Sequence, residues 1–158
     1  TWGPGTTQCQ VQAAPAAKTT EGGYGWYVDL PDSGERAVTN SRLEGGTIIF
    51  TTYVPAPNTC TVGGKAWLMS LNFASGGSFT KPEIDLNGDT KLDSSDQVNG
   101  QNPVGLGLGS VYATSPTILS ASLGDVNQVK LITKSTGQIQ SVMEHGPGLH
   151  RDSWWQIY

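Results

Sequence analysis

Charge is scarce in this sequence. Asp, Glu, Lys and Arg make up 14% of its 158 residues, against about 25% in an ordinary soluble domain. With 21 glycines as well, that scarcity excludes a coiled coil or a bundle of long helices. Basic residues are fewest, nine Lys and Arg against thirteen Asp and Glu, so no positive field exists to attract nucleic acid. No window approaches the run of about 18 apolar residues that reads as a membrane span. Histidine is limited to His145 and His150, which read as loop imidazoles more readily than as a metal pair. No G-x-S-x-G elbow, H-E-x-x-H, P-loop or G-x-G-x-x-G is present, and Gly105-x-Gly107-x-Gly109 has no helix pattern after it to cradle phosphate. Glu35 and Glu144 could be imagined as a glycosidase pair, yet nothing in the sequence brings them together. The expectation is a protein that acts by binding and is not an enzyme.

What is present points to strands. The chain is 36% hydrophobic, long enough for one domain with a respectable core. Strand-sized runs rich in β-branched and aromatic residues cover 25–30, 47–54, 66–71, 117–119, 128–133 and 138–142. Turn signals separate them: Pro31-Asp32-Ser33-Gly34, Gly45-Gly46, Gly63-Gly64, Gly76-Gly77 and Ser135-Thr136-Gly137. No stretch keeps a helical period over three turns, and at most a short helix or turn falls near Ser94 to Val98. The fold class is therefore all-β and antiparallel with long loops. Residues 100–115 are read either as a flexible connection or as a glycine-rich strand. Residues 1–20 read as an extended arm, and 21–158 as a single β domain. The sequence opens on Thr1 with neither Met nor a signal-like start, which raises the expectation of a piece of a longer or processed product.

Cys9 and Cys60 allow one intramolecular disulfide. An extracellular setting would favour it, at roughly 4 kcal/mol in the chain-entropy model; two unrelated thiols are the alternative. Neither lies in a C-x-x-C pair, which argues against zinc and thioredoxin-like chemistry. Trp26, Trp67, Trp154 and Trp155 are candidates for a carbohydrate- or protein-binding surface, although tryptophans more often pack in a core. In a strand the adjacent Trp154 and Trp155 would face opposite ways.

The acidity is concentrated. Glu83, Asp85, Asp89, Asp93 and Asp96 lie within fourteen residues, and without them the chain would be close to neutral. Residues 85–96 carry oxygen-bearing side chains at loop positions 1, 3, 5, 9 and 12: Asp85, Asn87, Asp89, Asp93 and Asp96. This is the spacing by which a twelve-residue EF-hand-type loop wraps calcium, with Lys91 at position 7 offering its backbone carbonyl. Calcium takes six to eight hard oxygens, and an all-protein cage suits it better than magnesium. Leu92, at position 8, is the apolar residue such a loop tucks into the body. Two residues depart from the pattern. Thr90 stands at position 6, where glycine is usual, and Asp96 at position 12 is shorter than the usual glutamate, as in dockerin-type loops. The alternative is a solvated acidic turn.

Several segments together resemble the C-terminal region of the PilC/PilY family of type IV pilus tip-associated adhesins and biogenesis factors. They are Gly25-Trp26-Tyr27-Val28-Asp29-Leu30-Pro31, Gly34-Glu35-Arg36-Ala37-Val38-Thr39 and Gly45-Gly46-Thr47-Ile48-Ile49-Phe50-Thr51-Thr52. Cys60, Gly63-Gly64-Lys65-Ala66-Trp67-Leu68-Met69 and Asp85-Leu86-Asn87-Gly88-Asp89 follow, and Ser153-Trp154-Trp155-Gln156 looks like a closing element of the family. Trp155 stands where that element usually has arginine. The resemblance implies the last blades of a modified β-propeller, on a larger secreted protein exported through the periplasm to the cell surface. It implies roles in pilus assembly, retraction control, twitching motility and adhesion, with calcium as regulator at Asp85, Asn87, Asp89, Asp93 and Asp96. The partners it implies are the pilus tip or minor pilins, and host or abiotic surfaces. A propeller blade needs about 40–50 residues and a closed ring at least four blades. A chain this long therefore holds about three, and open strand edges would favour self-association or contact with the remainder of a larger chain. The alternative is a structural or self-assembling extracellular β domain that calcium stabilises, with no pilus role.

Overall fold

The computed structural model describes residues 8–9, 25–30, 32–56, 63–120 and 127–146. Among them the chain is all-β, with nine antiparallel strands and a single 3₁₀ turn at Ser94–Asp96. The strands are β1 (Gln8–Cys9), β2 (Arg36–Ala37), β3 (Arg42–Glu44), β4 (Thr47–Pro55), β5 (Gly64–Asn72), β6 (Gly105–Gly109), β7 (Thr117–Ser120), β8 (Asn127–Thr133) and β9 (Ile139–His145). The first sheet runs β1-β6-β5-β4-β2, with β3 also on β4, and the second runs β7-β8-β9.

The β-branched run at 47–54 and the run at 66–71 become the two long central strands, paired from Thr47↔Asn72 to Pro55↔Gly64. Strand alternation then sorts their side chains onto two faces. Ile49, Ala66 and Leu68 turn toward the second sheet and meet Leu106, Leu108, Ile132 and Val142, with Ile84, Val111 and Ala113 completing the cluster. Burying each Leu, Ile or Val contributes about 1.5–3 kcal/mol, so this inter-sheet layer is the main source of cohesion. Trp67 and Met69 lie on the opposite face with Phe50 and Val54.

The glycine-rich stretch resolves as a strand. Leu106 and Leu108 of β6 enter the core, which places Gly107 and Gly105 opposite Trp67 and Met69, where they set no side chain against those bulky neighbours. Residues 25–30, expected as a strand, carry no sheet pairing. Their alternation has a different cause: Trp26, Val28 and Leu30 are half-buried while their neighbours are exposed. The segment is fixed near both ends against β5. Trp26 Nε1 donates to Phe73 O at 2.7 Å, and Trp67 Nε1 donates to Asp32 Oδ2 at 3.3 Å. The Trp26 ring lies over Gly76, which has φ +67°, and a Cβ there would stand 2.4 Å from the indole. Cys9 pairs with Gly105 through its backbone, whereas Cys60, and with it the expected Cys9–Cys60 bridge, lies outside the described residues.

The inner face of the second sheet is unexpectedly polar. Gln128, Lys130 and Glu144 are buried there beside Ile132 and Val142. Lys130 Nζ donates to Glu144 Oε2, and Ser70 Oγ from β5 donates to the same oxygen at 2.7 Å. Glu144 Oε1 has no partner. Burial pushes the Glu144 carboxyl up, against the pull of Lys130 and Ser70.

Removing one member of such a pair leaves an uncompensated buried charge. Lys130→Ala or Glu144→Ala alone should therefore cost about 3–5 kcal/mol in urea unfolding. The apolar double variant Lys130→Met/Glu144→Leu should recover most of that loss. Equal destabilisation by single and double variants would contradict this account.

Candidate metal centre

The acidic loop begins on a piece of backbone held against β9. Ile84 bridges Glu144 in antiparallel register, His145 N donates to Glu83 O at 3.1 Å, and Asp85 N donates to Met143 O at 3.0 Å. Ile84 is fully buried in the inter-sheet core, and Leu86 packs against the same cluster. The apolar residue seating the loop on the core is thus Leu86 at position 2; Leu92, expected in that role, is half-buried. The far end closes through the paired backbones of Val98 and Gln101, at 3.0 and 3.1 Å. Asn102 ties that end to Phe79 O and Gln97.

Within the loop the acids organise the backbone. Asp85 accepts from Gly88 N at 2.7 Å through Oδ1 and from Thr90 N at 2.9 Å through Oδ2. Asn87 Oδ1 accepts from Asp89 N, Asp89 Oδ1 from Lys91 N, and Asp93 Oδ1 from Ser95 N, each at 2.8–2.9 Å. Asp96 is fully buried. Its Oδ1 accepts from Leu86 N at 2.8 Å and its Oδ2 from Asp93 N at 3.1 Å, completing a capping box around the 3₁₀ turn. Asp96 thereby joins both ends of the loop. The short helical turn expected after Ser94 is present.

Asp85 and Asp96 are buried, whereas Asn87, Asp89, Lys91 and Asp93 are exposed. The hydrogen bonds from the Ser95 backbone and hydroxyl hold the Asp93 carboxyl below the usual range. Among the described residues, no group of three or more His, Cys, Asp or Glu side chains converges to metal distance. The donor chemistry nevertheless suits a hard cation, with four carboxylates and an amide in one loop. Each carboxylate oxygen that accepts one N–H keeps a second lone pair. Thr90 has φ +67°, so position 6 takes the left-handed backbone that favours glycine despite its branched side chain.

Other sequence candidates fall elsewhere. Glu35 is bound by Thr52 Oγ1 and by Asp32 N, on the face of the first sheet that carries Trp67. Glu144 bonds Ser70 on the opposite face, so the sheet separates this imagined pair of carboxylates. Burial pushes the Glu35 carboxyl up. Trp67 is buried and Trp26 half-buried, while Trp154, Trp155 and His150 lie outside the described residues. Lys130 and Ser70 were not singled out from the sequence, and Glu83 only as one of the five clustered acids. Lys130 alternates in phase with Ile132 but out of phase with Val129 and Leu131, so residue order gives no signal for an inward lysine.

The fold and the seated acidic loop define a two-sheet, antiparallel β domain, and comparison gives its likeness. The C-terminal domain of Pseudomonas aeruginosa PilY1 matches it with a TM-score of 0.51 at 20% identity, over 77% of this chain and 22% of that one. A type IV pilus biogenesis factor PilY1 homolog of Xylella fastidiosa is 44% identical over 61 residues, covering 35% of this chain. The chain spans about 4% of that relative's length. The resemblance is therefore to the C-terminal region of PilY1 proteins. No family model matches the chain.

Two expectations test the loop and its root. Thr90→Gly should stabilise the protein by about 1 kcal/mol by relieving the left-handed threonine, while Thr90→Ala should not; an equal gain from alanine would exclude backbone relief. Glu83 sits half-buried beside the loop. Burial first, and the Glu144 carboxylate second, push its carboxyl up to about 7, with Lys130 and Lys81 pulling it down. The folded value lies above the unfolded value near 4.5, so the folded state favours the protonated acid. Stability then falls as pH rises from 4.5 through about 7 and levels off above. Glu83→Gln should melt with the parent near pH 4.5 and above it near pH 8, and a gain largest in acid would contradict the assignment.

Proposed function

We propose that this chain is a calcium-binding module of a type IV pilus-associated surface protein, acting by binding and not by catalysis. The observation that carries the reading is the 61-residue match, at 44% identity, to a type IV pilus biogenesis factor. The shared fold with the PilY1 C-terminal domain supports it. On this reading the two sheets are propeller-like blades of a larger assembly at the cell surface, reached by export through the periplasm. The partners are the pilus tip or minor pilins, with roles in pilus assembly, retraction control and adhesion. Cys9 and Cys60 form a disulfide in that oxidising setting.

Calcium occupies the loop of Asp85, Asn87, Asp89, Lys91, Asp93 and Asp96, with Lys91 contributing its carbonyl. Three features support this: the position-by-position spacing, the left-handed residue at position 6, and the side-chain-to-backbone bonds that already curve the loop. An ion there neutralises the acids, orders the exposed segment 87–91 and biases a neighbouring contact surface. A second reading, in which calcium only stabilises an extracellular β domain, draws on the burial of Asp85 and Asp96 at the core edge.

Calorimetric titration of calcium into chelator-treated protein decides between these outcomes. Saturable binding is expected, weakened at least about tenfold in Asp89→Ala, whose side chain is exposed and whose loss spares the core. Capture of purified pili by the parent but not by the calcium-free protein, at unchanged melting temperature, supports the pilus module. A large fall in melting temperature without a separate capture defect supports the stabilising ion. Absence of binding heat removes the metal from both readings.

A further inference from the structure

Lys130 and Glu144 stand diagonally across the β8–β9 ladder, Lys130 opposite Val142 and Glu144 opposite Gln128. Both point into the layer between the sheets, and each side chain is 1% exposed. An ammonium carries three protons, yet among the described residues the one acceptor of Lys130 Nζ is Glu144 Oε2. That oxygen also receives the Ser70 hydroxyl at 2.7 Å, whereas Oε1 of the same carboxylate has no partner among the described residues. Two full charges are thus withdrawn from water with much of their hydrogen-bonding capacity unmet, a costly state for a buried pair.

We infer that Lys130 and Glu144 condense to an intramolecular isopeptide bond joining β8 to β9. The salt bridge is the reactant of this step and the amide its product. A proton passes from Nζ to the carboxylate, leaving an amine against a carboxylic acid. Burial already pushes the Glu144 carboxyl toward that neutral form. The Nζ lone pair then attacks Cδ. Negative charge gathers on Oε2, where the Ser70 hydroxyl is placed to meet it. Oε1, with no partner to retain it, collects two of the three ammonium protons and departs as water. The Nζ–Cδ bond forms, the Cδ–Oε1 bond breaks, and the third proton stays on the amide nitrogen. No oxidant or co-reactant is required.

The surroundings favour the amide over the ions. In bulk water hydration of both charges opposes this condensation, but between the sheets that hydration is already lost. Paired strands hold the two groups in contact, and well-oriented neighbours react as though each were present at about 10⁵–10⁸ M. Ile84, Ile132 and Val142 belong to the apolar cluster of the same layer, so the released water is poorly retained and hydrolysis in reverse is disfavoured. The product exchanges two charges for one N–H and one C=O, and the C=O already faces the Ser70 hydroxyl.

The intact mass of the folded full chain, measured after disulfide reduction, tests the bond. The chain should weigh one water less than its sequence, and Lys130→Arg should restore the full mass. Glu144→Gln keeps Cδ but offers ammonia as the leaving group, so it should lose one ammonia instead. Trypsin should fail to cut after Lys130 and should release residues 92–134 joined to 135–151 as one branched peptide, a readout that needs no variant to fold. Full sequence mass in the folded chain, with ordinary cleavage after Lys130, would overturn the proposal and leave a plain ion pair. So would a loss of water that persists in Lys130→Arg.

Discussion

An ammonium and a carboxylate buried together between two sheets constrain this molecule more tightly than its apolar contacts do. Apolar side chains tolerate sliding, because one hydrocarbon contact resembles another. Lys130 and Glu144 do not, because either charge alone in that layer is costly. A one-residue slip of β8 or β9 would send its whole set of inward side chains to the other face and separate the pair. Ser70 adds a bond from the first sheet, so the arrangement fixes the register of one sheet upon the other as well as within each. The acidic loop inherits that precision, since its first residue hangs from β9 beside Glu144.

The long strands were legible because β-branched and aromatic residues cluster where sheets are half-buried. Thr47–Pro55, Gly64–Asn72 and Asn127–Thr133 each exceed the expected run by no more than two residues at either end. β6 was ambiguous for a clear reason: glycine supplies no alternation, and only Leu106 and Leu108 mark its inner face. The run 25–30 misled because a segment laid across a sheet face shows the same period of two as one within a sheet. In β8 both parities carry aliphatic groups, Val129 and Leu131 against Ile132, so sequence alone could not decide which face held the core. Charge would have voted for the wrong one.

The loop divides in the same way. Its spacing, the awkward position of Thr90 and the short turn at Ser94–Asp96 were all readable from residue order. That Asp96 would be buried and bridge both ends, and that Leu86 would pack on the core in place of Leu92, depends on how the loop meets Ile84 and β9. Those are long-range contacts that local order does not encode. The likeness to PilY1 proteins rests on two different measures, 61 aligned residues and a shared fold over 77% of the chain.

The split edge of the first sheet has a consequence for behaviour in concentrated solution. β2 and β3 cover opposite ends of β4, and Thr39 lies in the gap between them. Its hydroxyl accepts from Thr51 N at 3.2 Å and meets Thr51 Oγ1 at 2.7 Å. A nine-residue β-branched strand would be an efficient template for fibrillar aggregation if its hydrogen-bonding groups stood open along one side. Here two short strands and a single side chain cap it instead, and neither cap is long enough to recruit a further strand. The chain can thus keep the stiff, aggregation-prone sequence that its core requires.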